Sequence, residues 1–128
     1  MSENQTVYIV DDDESSTSSL AALMMSIGRR TETYSSAEES LAAANDGMRG
    51  CLILDVRLRG MSGPELSLEL QRRGVEIPTI FISGDMGSIG AEFMSRKPRQ
   101  QLLEKPYSGK AICEAIDNAL NGAFRTSA

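Results

Sequence analysis

The sequence predicts an α/β fold with a parallel sheet covered by helices on both faces, and three observations lead there. Strand-like and helix-like patterns alternate four times before residue 84. Two of the strands, around Cys51 to Leu54 and Ile80 to Ile82, are apolar without a polar break, the pattern of strands buried on both sides. Polar and charged residues stand directly after the strand ends, where such a sheet collects its binding groups.

Taken in order, Thr6 to Val10 is a β-branched and aromatic run that stops at Asp11, Asp12 and Asp13. Ser15 and Ser16 are candidate N-caps for a helix whose apolar stripe is Leu20, Leu23, Met24 and Ile27, closed by Gly28. Arg30 to Tyr34 is a weaker strand. Ser36, followed three places later by Glu39, has the form of a capping box and opens a helix through Leu41 to Ala44. Asn45, Asp46 and Gly47 make a turn. The strand from Cys51 ends at Asp55. After a glycine-bearing loop, Pro64 suits the first turn of a third helix carrying Leu66 and Leu70, with Gly74 as its stop. Pro78 introduces the strand TIFI, which ends at Ser83 and Gly84. From Met86 to Gln100 the pattern weakens, because Gly87, Gly90 and Pro98 interrupt it; a short or irregular helix is expected there. Gln101 to Glu104 is a brief strand before Lys105, Pro106 and Tyr107. Ser108 caps a last helix with the stripe Ile112, Ala115, Ile116, Ala119 and Leu120, ending at Gly122.

A chain of 128 residues is long enough to bury a layered core as one domain, with a core over about 5–121 and a frayed tail over 122–128. Hydrophobic residues at 41% and charged ones at 24% place it among globular proteins. The apolar runs are far too short to span a bilayer, and the start has no secretory pattern, so a cytoplasmic protein is expected. Cys51 and Cys113 fall on apolar faces and are read as reduced core residues. A net charge of -5 argues against direct nucleic-acid binding. The absence of histidine rules out Ser-His-Asp triads, histidine metal sites and phosphohistidine relays within these residues.

The strand ends supply Asp11 and Asp12, Asp55, Ser83 with Gly84, and Lys105. Carboxylates gathered this closely repel one another unless a cation lies among them. Oxygen-only ligation points to Mg²⁺ or Mn²⁺. With a lysine and a hydroxyl opposite, the set can accept a phosphoryl group and spread its charge. Each part alone has a plainer reading as turn, cap or surface chemistry; their joint occurrence at successive strand ends favours the chemical one.

The motifs VYIVDDDES, CLILDVRLRGMSG, IPTIFISGD and LLEKPY resemble the receiver domain of two-component response regulators, in particular its FixJ-like branch, over residues 5–121. The resemblance implies a flavodoxin-like doubly wound (βα)5 sandwich with a five-stranded parallel sheet of order 2-1-3-4-5. It implies that Asp55 is the phosphoacceptor, and that Asp11, Asp12, Asp55 and the backbone carbonyl of Arg57 hold Mg²⁺. It further implies that Ser83 follows the phosphoryl group and that Lys105 pairs with it, next to a cis Lys105-Pro106 bond. Change would pass outward through Ser83, Gly84, Leu102 and Pro106. The implied partners are a sensor histidine kinase or phosphotransfer protein and an output protein or fused output domain. The implied activity is that of a phosphoacceptor assisting only its own phosphorylation and dephosphorylation.

The sequence departs from that pattern in four places. Leu102 stands where relatives carry an aromatic switch residue, and Tyr107 is read as packing, not as its substitute. Arg59 stands where relatives often have proline, which bears on loop rigidity. The segment from Gly84 to Gln100 is broken by glycine and proline and made basic by Arg96, Lys97 and Arg99. The chain also stops at Ala128 without a DNA-binding region, as a stand-alone receiver or one cut from a longer regulator would. Two other functions share parts of the pattern. One is a receiver fold retained for constitutive partner contacts. The other is an aspartyl-phosphate phosphohydrolase, disfavoured because Arg57 occupies the position where haloacid-dehalogenase-like enzymes have their acid.

Overall fold

The computed structural model describes residues 5–84 and 100–121. Its elements in chain order are β1 (Thr6–Val10), α1 (Glu14–Ser26), β2 (Arg30–Tyr34), α2 (Ala37–Ala43), β3 (Gly50–Asp55), α3 (Gly63–Arg72), β4 (Thr79–Ser83), β5 (Gln100–Glu104) and α4 (Gly109–Asn121). The strands form one parallel sheet of order β2-β1-β3-β4-β5, the doubly wound order the family resemblance implies. The expected weak helix from Met86, with Arg96, Lys97 and Arg99, lies outside the described residues, as do Gly122 as a stop and the tail beyond it; Gln100, placed at the end of that helix, is instead the first residue of β5. Among the described residues, no helix is long and apolar enough to cross a membrane.

Side chains of a strand alternate between faces, and here both faces are dry. Val7, Ile9, Cys51, Ile53, Ile80 and Ile82 pack on one side against Leu20 and Met24 of α1 and Ile112 and Ile116 of α4. Tyr8, Val10, Leu52, Leu54 and Phe81 pack on the other against Ala37 of α2 and Leu66 and Leu70 of α3. The unbroken apolar runs in the sequence are thus one strand serving two cores. Each fully buried leucine, isoleucine or phenylalanine contributes about 1.5–3 kcal/mol, so the central strands dominate the packing. The weaker pattern of β2 has a location: it is an edge strand, paired only with β1, and its charged side chains face water.

Several local expectations shift by a residue or two. Helix α1 is capped by Asp13, whose side chain accepts from Ser15 N at 3.0 Å, and not by Ser15 or Ser16. Ile27 is half exposed, because it is the C-cap residue and the helical stripe no longer applies to it. At α2, Ser36 Oγ accepts from Glu39 N, but Glu39 returns its bond to Ser35 N at 2.7 Å, leaving the capping box incomplete. The complete box belongs to α3, between Ser62 and Glu65, with Pro64 in the first turn. Ser108 caps α4 as expected, accepting from Ala111 N at 3.0 Å. Gly28 and Gly74 end their helices with φ of 78° and 89°. Both cysteines are free thiols, Cys51 fully buried and Cys113 partly so.

Candidate functional site

The sheet order reverses direction between β1 and β3, so the connections leaving these strands diverge to opposite faces and open a crevice at their carboxyl ends. Register sets what meets there. Val10 pairs with Leu54, which brings Asp11 level with Asp55, and Asp55 in turn is level with Ile82. Ser83 pairs with Glu104, and Lys105 N donates to the Ser83 carbonyl at 2.8 Å. Residues separated by more than 40 positions thereby share one edge of the sheet.

Asp55 and Lys105 meet directly. Lys105 Nζ donates to Asp55 Oδ2 at 3.1 Å, with side-chain exposures of 33% and 12%. The other oxygen, Oδ1, accepts from Arg57 N at 2.8 Å, so the carboxylate is held from both ends. Burial alone would lower the Lys105 pKa, but its hydrogen bond to Asp55 and the charges of Asp55 and Asp11 outweigh this and raise it. Lys105 is therefore a fixed cation. The Lys105-Pro106 peptide is cis, as the resemblance implies. Tyr107 packs against the core beneath α1 and α4, in keeping with a packing role.

Asp11 is 6% exposed, and its Oδ1 accepts from Asp13 N at 2.9 Å. Burial, with an added contribution from the Asp55 charge and against the pull of the Asp13 amide, pushes its pKa up to about 6. Asp12 is engaged by the loop after β3: its Oδ2 accepts from Arg59 N at 3.1 Å and lies 3.8 Å from Arg59 Nε. Among the described residues, no three potential ligand side chains gather around one point. The donor set nevertheless fits a hard divalent cation. It is all oxygen, and Asp11 is a buried acid that bears its charge reluctantly beside a second carboxylate.

The remaining expected residues occupy neighbouring positions. Ser83 is the buried last residue of β4, and Gly84 is exposed just after it. Leu102 lies in β5 opposite Phe81 and packs, partly buried, on the α2 and α3 side of the sheet. Arg57 and Arg59 sit in the loop that follows Asp55.

Three contributions go beyond the roles that the sequence pattern assigns. Asp13 both starts α1 and orients Asp11. The Arg59 main chain holds Asp12. Gly63 lets α3 close onto the site loop, since a Cβ there would collide with the Asp55 carbonyl oxygen. The acidic residue directly before a helix, and the Ser62-to-Glu65 spacing, were signals that could have located the first and the third.

The family model of the response regulator receiver domain matches residues 7–117. The transcriptional regulatory protein TdiR of Thauera aromatica is 38% identical over 117 residues, covering 90% of this chain and 51% of TdiR. The transcriptional regulatory protein FixJ of Azorhizobium caulinodans is 35% identical over 120 residues, covering 94% of this chain and 57% of FixJ. The solved structure of FixJ-N superposes with a TM-score of 0.81 at 35% identity, covering 98% of both chains. That of the response regulator StyR superposes with a TM-score of 0.82 at 35% identity, covering 92% of this chain and 60% of StyR. The chain spans about half the length of the curated relatives it matches. A doubly wound sheet with acids and a lysine converging at its carboxyl edge, together with these matches, shows that the chain belongs to the response regulator receiver domain family of two-component signalling.

Proposed function

We propose that Asp55 accepts a phosphoryl group and that the phosphorylated domain alters the binding of a partner. The observation that carries this reading is the Lys105 ammonium held at 3.1 Å from Asp55 Oδ2 at the sheet edge. The same chain has no histidine, so the donor is the phosphohistidine of a sensor kinase or phosphotransfer protein, or a small phosphodonor. An Asp55 oxygen attacks phosphorus in line with the bond to the donor nitrogen. A phosphorus–oxygen bond forms as the phosphorus–nitrogen bond breaks, and the electron pair leaves with the imidazole. Lys105 stays beside the phosphoryl oxygens as their charge builds up. Asp55, Asp11 and Asp12, with the Arg57 carbonyl, would hold Mg²⁺, or Mn²⁺ in its place, which neutralises phosphoryl charge when bound. Water later cleaves the acyl phosphate and resets the switch.

Ser83, buried beside Asp55, is the hydroxyl that follows the phosphoryl group, and Gly84 and Pro106 flank the path outward. The output is a segment or protein whose contacts depend on this state; relatives about twice as long carry the names of transcriptional regulators. The test is incorporation of phosphate from acetyl phosphate. Labelling is expected only with Mg²⁺ and not in Asp55→Asn; a labelled Asp55→Asn protein would overturn the assignment.

One observation favours a second reading, a receiver that binds its partner constitutively. Leu102 is aliphatic and already packed against the Phe81 cluster, leaving no ring to rotate at that position. Fluoroberyllate with Mg²⁺ separates the two. Resonance shifts at Ser83, Gly84 and Leu102 support the switch, and an unchanged spectrum supports the constitutive module.

A further inference from the structure

Asp12 is held by the main-chain nitrogen of Arg59 and lies in ion-pair range of its side chain. Arg59 N donates to Asp12 Oδ2 at 3.1 Å, and Arg59 Nε lies 3.8 Å from the same oxygen. The Arg59 side chain is 92% exposed, so the guanidinium hangs over the carboxylate from solvent and is not built into the core. Beside the pair is a recess of about 480 Å³ lined by Asp12, Ser35, Ser36, Glu38, Arg59 and Gly60.

We propose that Arg59 is a positioning residue that sets divalent-cation affinity by competing for Asp12. The inference rests on the reading of Asp11, Asp12 and Asp55 as a metal site. A cation that recruits Asp12 competes with the guanidinium for this carboxylate and must tolerate its positive charge nearby. Both effects weaken cation binding without touching Asp11 or Asp55. The recess gives the displaced side chain room and a second carboxylate, Glu38, to approach. A neutral side chain at position 59 would leave the main-chain bond to Asp12 in place and remove only the competitor. The loop would therefore keep its shape while the site became more receptive.

The test is titration of the full 128-residue chain with MgCl₂ by calorimetry, comparing the parent protein with Arg59→Ala and Arg59→Lys. Arg59→Ala is expected to bind Mg²⁺ about two- to fivefold more tightly, the range an exposed ion pair spans. Arg59→Lys retains the charge and is expected to stay near the parent. The gap should shrink in 0.5 M NaCl, where the Debye length is only a few ångströms. Equal or weaker Mg²⁺ binding by Arg59→Ala, while the parent binds normally, would overturn this inference alone. Tightening of Arg59→Lys to the level of Arg59→Ala would also overturn it, since charge would then not be the cause. A parent protein that binds no Mg²⁺ would overturn the metal-site reading and this inference with it. Thermal unfolding of both variants at the parental temperature verifies that the comparison is between folded proteins.

Discussion

Lys105 Nζ and Asp55 Oδ2 lie 3.1 Å apart although their strands are not neighbours: β4 runs between β3 and β5, and the lysine reaches across its end. The contact therefore depends on the Lys105 backbone, anchored through its amide to the Ser83 carbonyl, as much as on the side chain. Lys105→Met should keep the sheet but lose the cation. Phosphate incorporation from acetyl phosphate is expected to slow on the order of 10²-fold, the usual cost of losing one charge-stabilising donor. Rapid-quench or mass-spectrometric time courses would measure it, and an unchanged rate would mean that Lys105 does not face the transferred group.

Asp11 places an electrostatic penalty inside the metal-free protein. Its pKa is about 6 when folded against an ordinary value of 3.8, so between these values the folded state holds a proton that the unfolded chain has released. Stability from this group falls as pH rises from about 4 to 6, and the penalty is fully present at pH 7. Asp11→Asn should then stabilise the metal-free protein at pH 7 by on the order of 2 kcal/mol, with the gain fading toward pH 4. Urea unfolding at the two pH values checks this. The same variant should bind Mg²⁺ more weakly, so the stability gain and the affinity loss would appear together.

Gly63 has no space for a methyl group, because a Cβ would collide with the Asp55 carbonyl oxygen. Gly63→Ala is expected to cost about 1–3 kcal/mol in denaturant unfolding, as overpacking against an unyielding backbone does. Since the strain falls on the residue that bears the carboxylate, phosphate incorporation should also slow in the fraction that folds. A variant with parental stability would show that α3 shifts freely relative to β3.

Cys51 and Cys113 should differ in reactivity. Burial pushes the Cys51 thiol up to about 12, so thiolate at that site is scarce at pH 8. A disulfide reagent should modify Cys113 first and Cys51 only at the rate of unfolding, with both reacting at once in urea. Prompt modification of two thiols in the native protein would contradict the packing of β3. Above pH 9 the unfolded chain gains thiolate that the folded one does not, so Cys51 makes the fold less stable as pH rises toward 12.

Much of this arrangement was legible in the sequence because it rests on strand periodicity and strand ends. The runs TVYIV, CLILD and TIFIS could be placed, and so could Asp55 and Lys105, since a parallel sheet delivers its strand ends to one edge. The less regular strand RTETY was harder to recognise because an edge strand has only one neighbour and need not be apolar. Details set by main-chain hydrogen bonding were hidden. That Glu39 bonds to Ser35 and not to Ser36, or that Asp12 turns to Arg59, depends on the path of a loop that no residue pattern encodes. Ile27 leaves the apolar stripe because helical spacing says nothing about the residue at which the helix stops.

Both carboxylates at the centre of the site are steered by the peptide two positions ahead: Asp11 by the Asp13 amide and Asp55 by the Arg57 amide. Their aim is thus written in main-chain atoms that almost every amino acid possesses. Only proline, which has no N–H to give, could not supply either amide, although at position 13 the side chain has the separate task of capping α1. The charge and bulk around the two acids are thus set by side chains, while their bearing is set by the main chain.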